Sequence, residues 1–149
     1  FAYNVIPNEV VIEGTIRAFE DPVRQHLAKR IGEIAKGVAA TFRGGCDFEM
    51  DWGAPPVVND EAMAKLAADA AAKALGRENV ITDFKPVMGG EDFAYYLEKA
   101  PGAFMALCSV NHEKHADAPH HNPKFDVDED VLYRGSAVFV SIVEEFLGR

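Results

Sequence analysis

Between Val10 and Trp52 the apolar residues change their spacing twice, and this constrains the fold more than any other feature of the chain. Val10, Ile12 and Ile16 alternate with Val11, Glu13, Thr15 and Arg17, the period-two pattern of a strand. Pro7-Asn8 marks a turn before this segment, and Gly14 breaks its apolar face in the manner of a bulge or a close backbone approach. The period then becomes helical: Val23, Leu27, Ile31, Ile34 and Val38 are separated by three and four residues. Asp21-Pro22 supplies a start, with Asp at the N-cap and Pro at the first helical position, where its missing N–H costs nothing. Arg43-Gly44-Gly45 supplies the end. Cys46, Phe48, Met50 and Trp52 then return to period two, with Glu49 and Asp51 opposite. The order expected is strand, helix, strand.

Gly53-Ala54-Pro55-Pro56 is the best boundary in the chain, because the prolines stiffen it and the composition changes beyond it. Asn59 is the expected cap of an alanine-rich helix with Met63, Leu66, Ala70 and Ala74 on one side, and Gly76 is placed to end it. Val80-Ile81 reads as a short strand, Met88-Gly89-Gly90 as a loop before a short helix near 91–98, and Phe104 to Leu107 as a buried strand. A polar stretch over 109–126 holds four of the chain's five histidines. Asp128 then starts a long helix with Val131, Leu132, Val138, Phe139, Ile142, Val143 and Phe146 at helical spacing. Strands alternating with helices predict α/β layers. The few strands on either side of the boundary would leave open sheet edges, and the chain opens at Phe1 in strand-like sequence; both lead us to expect a piece of a longer protein.

Composition removes several classes of function. The 149 residues are 48% hydrophobic, enough for a packed core. A net charge of -9 with no run of Lys or Arg argues against nucleic acid as a partner. No apolar run approaches the roughly 20 residues needed to span a bilayer, so no membrane role is expected. Cys46 and Cys108 form no CxxC pair and read as buried thiols of a reducing compartment, which makes the expected location cytoplasmic.

Three stretches could carry chemistry. His112, His115, His120 and His121, with Glu113, Asp117 and Asp126 nearby, combine imidazoles and carboxylates, the donors that zinc and similar metals take. Their spacing matches neither a zinc finger nor HExxH, and a solvated loop is the plainer reading. Arg17 can grip a carboxylate with two parallel hydrogen bonds and Asn4 can add a third; equally, Arg17 reads as a surface arginine and Asn4 as a turn residue. Gly89 and Gly90 expose backbone N–H groups just before a helix, where an anion could sit, although Glu91 and Asp92 also suit the positive end of a helix dipole without any ligand.

Taken in order, these stretches resemble one family. Asn4-Val5-Ile6-Pro7 followed by Gly14-Thr15-Ile16-Arg17, then Met88-Gly89-Gly90-Glu91-Asp92-Phe93, then His121-Asn122-Pro123-Lys124-Phe125 are similar in sequence, order and separation to motifs of the M20 amidohydrolases. The branch of closest likeness includes hippurate hydrolase, N-acyl-amino-acid hydrolases and auxin-conjugate hydrolases. The resemblance implies an α/β protein. Residues 1–54 would be part of a lid, the β-α-β half of a ferredoxin-like dimerisation domain. Residues 55–149 would be the C-terminal part of a zinc-peptidase-like α/β catalytic domain. It implies two divalent metal ions, zinc or manganese, an N-acyl amino acid or peptide as substrate, and a homodimer formed through the lid.

Residue by residue, the resemblance makes His121 a metal ligand, Asn4 and Arg17 the pair that holds the substrate carboxylate, and Gly89 and Gly90 part of the loop lining the substrate pocket. His120 stands where the family has an apolar residue and is not counted as a ligand. The family's Cys-Gly-His-Asp segment and Glu-Glu pair, which supply most ligands and the general base, are absent from these residues, as is the lid histidine that reaches a neighbouring subunit. No catalytic residue is therefore assigned, and the 149 residues alone are expected to be inactive and to bind metal weakly or not at all. The longer protein would cleave an amide by metal-activated water, with a glutamate shuttling the proton. A non-catalytic binding or dimerisation module derived from the same family is the alternative. An unrelated α/β domain with a metal-storage loop is a third reading.

Overall fold

The computed structural model describes residues 3–148, which fall into two compact units divided between Pro56 and Val57. The first unit is built on helix α1, Asp21–Thr41. Its N-cap is Glu20 rather than Asp21, and the Glu20 side chain makes no capping hydrogen bond. Asp21 is already helical, and its carboxylate sits in the first turn, where the helix dipole favours negative charge. Instead of capping, its Oδ1 accepts from Arg24 Nη2 at 2.6 Å and Nε at 3.1 Å, while Oδ2 accepts from Gln25. Hydrogen bonds from Gln25 and Arg24 lower the Asp21 pKa from its ordinary value. At the other end Gly44 N–H donates to Ala39 O at 2.9 Å, and the left-handed position is taken by Arg43 (φ 63°) rather than by a glycine.

Segment 46–52 lies against α1 with the expected alternation: Cys46, Phe48 and Met50 are half-buried, and Asp47, Glu49 and Asp51 are exposed. Arg24 fastens its end by donating through Nη1 to Trp52 O at 2.8 Å and Ala54 O at 3.0 Å, with the guanidinium 5.4 Å from the centroid of a Trp52 ring. The helix face it covers differs from the expected one. Ala28 and Gly32 are the buried residues of α1, whereas Val23, Leu27, Ile31, Ile34 and Val38 are all at least 38% exposed. The reason is steric. Arg24, Ala28 and Gly32 recur every four residues on one face, and two of them are small enough to admit the Phe48 ring. The apolar stripe lies about 100° round the helix from that face.

In the second unit α2, Glu61–Leu75, packs against α4, Leu132–Leu147. Asp60, not Asn59, caps α2: its Oδ1 accepts from Met63 N–H at 2.9 Å. Asn59 instead ties down the distant Phe104 backbone, donating to its carbonyl at 3.0 Å and accepting from its N–H at 2.8 Å. Gly76 ends α2 at φ 89°, a conformation that a residue with a Cβ rarely takes. The buried residues of the two helices are small or slender: Ala67, Ala70 and Ala71 on α2, Val138 and Ser141 on α4. Lys73 and Glu145 pair across them at 2.9 Å. The remaining apolar residues of α4 are less covered than their spacing predicts, with Leu132, Phe139, Val143 and Phe146 exposed.

Short helix α3, Ala94–Leu97, is about half the expected length. It is held by Ala94, which is buried, and by Phe93, whose ring stacks on Tyr96 at 5.8 Å and meets Phe104 at 5.7 Å. Single-turn 3-10 segments follow α2 (Arg77–Asn79) and precede α4 (Glu129–Val131).

The segments expected as strands, 10–17, 46–52, 80–81 and 104–107, form no β-ladder among the described residues, whose one β-bridge joins Asn111 and Ala116. A strand exists only through pairing, and these segments find no partner here. Of the two cysteines, expected buried, Cys46 is half-buried and Cys108 exposed; both are free thiols. Among the described residues no helix is long and apolar enough to cross a membrane.

Candidate functional site

The polar stretch after Leu107 is an organised loop. Asn111 and Ala116 exchange two backbone hydrogen bonds, each 2.9 Å, and close a tight turn. The Asn111 carbonyl oxygen Oδ1 accepts from the N–H groups of Glu113 and Lys114 at 3.0 and 3.2 Å, and His115 takes a left-handed conformation (φ 58°). His112 Nδ1 lies 2.8 Å from Asp117 Oδ2, and the imidazole beside it lowers the Asp117 pKa from its ordinary value.

The base of the loop is drawn together by Asp128, which is only 7% exposed. Its Oδ1 accepts from Lys114 Nζ at 2.6 Å and its Oδ2 from Asn111 Nδ2 at 2.7 Å. Its own N–H donates to Ser109 O at 3.1 Å, and Oδ1 caps the following turn through Asp130 N–H. Lys114 also reaches Asp130. The hydrogen bond from Lys114, then that from Asn111, holds the Asp128 carboxyl at a pKa of about 2. The same two carboxylates raise the pKa of Lys114.

The far side of the loop carries His120 and His121. The His120 ring meets Phe125 edge-on with centroids 4.9 Å apart, an apolar use of the imidazole. His121 is exposed at φ 64°, and the turn after it is fixed by Asn122. Asn122 Oδ1 accepts from Lys124 N–H at 2.8 Å, and its backbone carbonyl accepts from Phe125 N–H at 2.9 Å. Left-handed backbone is uncommon outside glycine; the turn that contains His121 is closed by Asn122 N–H donating to Pro119 O at 3.2 Å.

Among the described residues no three His, Cys, Asp or Glu side chains gather where they could hold a metal ion. Two of the loop's four histidines have side-chain partners: His112 faces Asp117 and His120 faces Phe125. The described residues thus do not make up a metal pair by themselves, and His121, the ligand that the sequence resemblance implies, stands exposed without two further donors beside it.

The other expected residues are placed as follows. Asn4 and Arg17 belong to the first unit, and both are exposed; Ile16 and Ala18 on either side of Arg17 are half-buried, so the guanidinium lies on the open side. Gly89 and Gly90 belong to the second unit and are exposed, and nothing lies nearer to a Cβ built on Gly89 than the Val87 side chain at 3.9 Å. Glu91 turns its carboxylate back to accept from Phe93 N–H at 3.3 Å. The residues that spacing did not single out are Asn111, Lys114 and Asp128. Asp128 read only as the start of α4, and its partners lie 17 and 14 positions away, beyond the reach of any local pattern.

Comparison with known proteins places these features in a family. The model of peptidase family M20/M25/M40 matches residues 6–145. The chain is 38% identical over 134 residues to an N-acetyl-L-cysteine deacetylase of Bacillus subtilis, covering 90% of this chain and 30% of that protein. It is 33% identical over 152 residues to an IAA-amino acid hydrolase of Arabidopsis thaliana, covering 98% of this chain and 34% of the relative. It is 31% identical over 144 residues to thermostable carboxypeptidase 1 of Saccharolobus solfataricus, covering 96% and 36%. The chain thus spans about a third of the length of the curated relatives it matches. With the family model matched across nearly all of it, the chain belongs to peptidase family M20/M25/M40.

Proposed function

We propose that these residues are part of a metal-dependent amidohydrolase that cleaves the amide bond of N-acyl amino acids or related conjugates. The observation that carries this reading is the family match over 6–145, joined to relatives named as an N-acetyl-L-cysteine deacetylase and an IAA-amino acid hydrolase. On this reading the whole enzyme is an α/β protein, 1–54 belong to its lid and 55–149 to its catalytic domain, and the lid pairs two subunits. The substrate is small and carries a free carboxylate. Arg17 has the planar donor fork that matches a carboxylate, and an amide such as Asn4 adds a further donor. Holding that end of the substrate fixes the scissile amide relative to the hydrolytic groups and lowers the entropic part of the barrier. Gly89 and Gly90 offer backbone close to which substrate can pack without a side chain intervening. His121 contributes one metal ligand, the remaining ligands coming from elsewhere in the longer protein. The 149 residues alone are inactive on this reading.

The test is to produce the full-length protein and offer it a panel of N-acyl amino acids, with metal content measured in parallel. Hydrolysis by the full-length protein, abolished by chelation and absent from the 149-residue chain, is the expected result. A full-length protein that binds N-acyl amino acids without cleaving any of them would replace the enzyme by a binding module. Substitution His121→Ala is expected to lower the bound metal; unchanged metal with full activity removes His121 from the site.

A further inference from the structure

The loop that carries His121 is closed at its base by one buried carboxylate. Asp128 receives Lys114 at 2.6 Å on one oxygen and Asn111 at 2.7 Å on the other, and its N–H reaches back to Ser109 O at 3.1 Å. The backbone bond joins the two ends of a loop whose interior, 110–127, is mostly exposed, and the two side-chain bonds tie the loop's first turn to Asp128. The same Asn111 shapes the first turn through Glu113 N–H and Lys114 N–H, so one amide side chain serves both the turn and the base. Beyond that turn the chain must still reach His121 at φ 64°, a conformation it holds only while its surroundings fix it. Loops of this length without a clamp sample many conformers, and each lost conformer adds to the cost of ordering.

We infer that Asp128, together with Asn111 and Lys114, is a positioning group whose three-way clamp sets the place of the loop bearing His121. The inference rests on the proposed hydrolase reading only for its effect on turnover; the clamp itself is a property of the loop. Neutralising Lys114 removes the charge-assisted bond from one Asp128 oxygen and leaves Asn111 on the other. The first turn is then tied to Asp128 by Asn111 alone, while the backbone bond to Ser109 O still closes the base. Catalytic geometry is sensitive to displacements of about 1 Å, enough to cost up to about a hundredfold in rate without any contact to substrate.

The test uses the full-length protein with Lys114→Met and Lys114→Arg. Lys114 is exposed, and in Lys114→Met the Asp128 carboxylate keeps Asn111 on one oxygen and Asp130 N–H on the other. Two readouts are taken: hydrogen exchange of peptides spanning 110–127, and kcat and KM on an N-acyl amino acid. Lys114→Met is expected to speed exchange across 110–127 alone and to lower kcat about tenfold or more with KM within about twofold. Lys114→Arg is expected to restore both. Unchanged exchange in Lys114→Met overturns the clamp. Faster exchange with wild-type kcat overturns the positioning role. A wild-type protein that hydrolyses none of the acyl amino acids sinks the hydrolase reading instead, and the exchange result then decides the clamp alone: faster exchange sustains it and unchanged exchange ends it.

Discussion

The Phe48 ring lies so close across α1 at Gly32 that a Cβ placed on this glycine would come within 2.9 Å of the ring's Cδ1. Gly32 is thus the seat of an aromatic side chain, although glycine in mid-helix is unfavourable by about 1 kcal/mol against alanine. Two effects compete in Gly32→Ala. The helix gains that amount, while the ring must move out of its place, and overpacking of this kind typically costs about 1–3 kcal/mol. We expect the loss to win, so that Gly32→Ala raises hydrogen exchange in 24–52. In a Phe48→Ala background the ring is gone, and the same change should then be stabilising by about 1 kcal/mol. A Gly32→Ala effect of the same sign in both backgrounds would show that the ring and the glycine are not coupled.

Arg24 makes the complementary prediction, because it holds the end of the segment that Phe48 anchors. Its guanidinium serves Trp52 O and Ala54 O through one nitrogen and Asp21 through two others. Hydrogen bonds to a charged group contribute about 1.5–3 kcal/mol, and the planar fork is needed to make these together. Arg24→Lys should therefore behave much like Arg24→Ala, each freeing 46–54 in a limited-proteolysis assay. A lysine variant as resistant as the parent would mean that charge alone suffices.

These two contacts also explain what could and could not be read in advance. Helices α1, α2 and α4 were legible because spacing, Pro22 and Gly76 mark them locally. The caps of α1 and α2 were displaced by one residue, since Glu20 and Asp60 stand next to equally plausible Asp21 and Asn59, whereas Asp128, expected to start α4, caps the 3-10 turn before it and α4 begins at Leu132. The covered face of α1 was not legible. Val23, Leu27, Ile31, Ile34 and Val38 form the more apolar stripe, yet a face is buried only by what lies on it, and Phe48 fits against Gly32 instead. At the candidate site, motif likeness singled out His121, Arg17, Asn4, Gly89 and Gly90 as single positions. It was silent on the Asn111–Asp128 bond, which depends on a loop closing across 17 residues.

Asp128 gives a pH dependence whose sign follows from its depressed pKa, about 2 against an ordinary 3.8. The bonds from Lys114 and Asn111 favour the ionised form in the folded state. The stabilisation is therefore fully present above the ordinary carboxylate value and is lost as pH falls through the folded value. Urea unfolding of the wild type and of Asp128→Asn should differ by a constant amount from neutrality down to about pH 4, and the difference should close as pH approaches about 2. A difference that has already vanished at about pH 5 would mean that Asp128 is not the titrating group.

Arg17 is where substrate choice can be tested against mere surface charge. Its guanidinium is exposed, flanked by half-buried Ile16 and Ala18, and so is available to a ligand without first being released from a core. If it grips the free carboxylate of an N-acyl amino acid, Arg17→Ala removes two charge-assisted hydrogen bonds made equally in ground and transition states. Such a loss of uniform binding raises KM and leaves kcat nearly unchanged. At about 1.5–3 kcal/mol the rise should be roughly ten- to a hundredfold. The matched amide, which carries no carboxylate, lacks the partner and should lose little. Arg17→Lys keeps the charge without the fork and should fall between the two. Steady-state kinetics of the full-length protein on both substrates decide the matter. Equal losses on acid and amide would show that Arg17 acts on the fold or on the field of the whole protein, and the carboxylate would then have to be held by another residue.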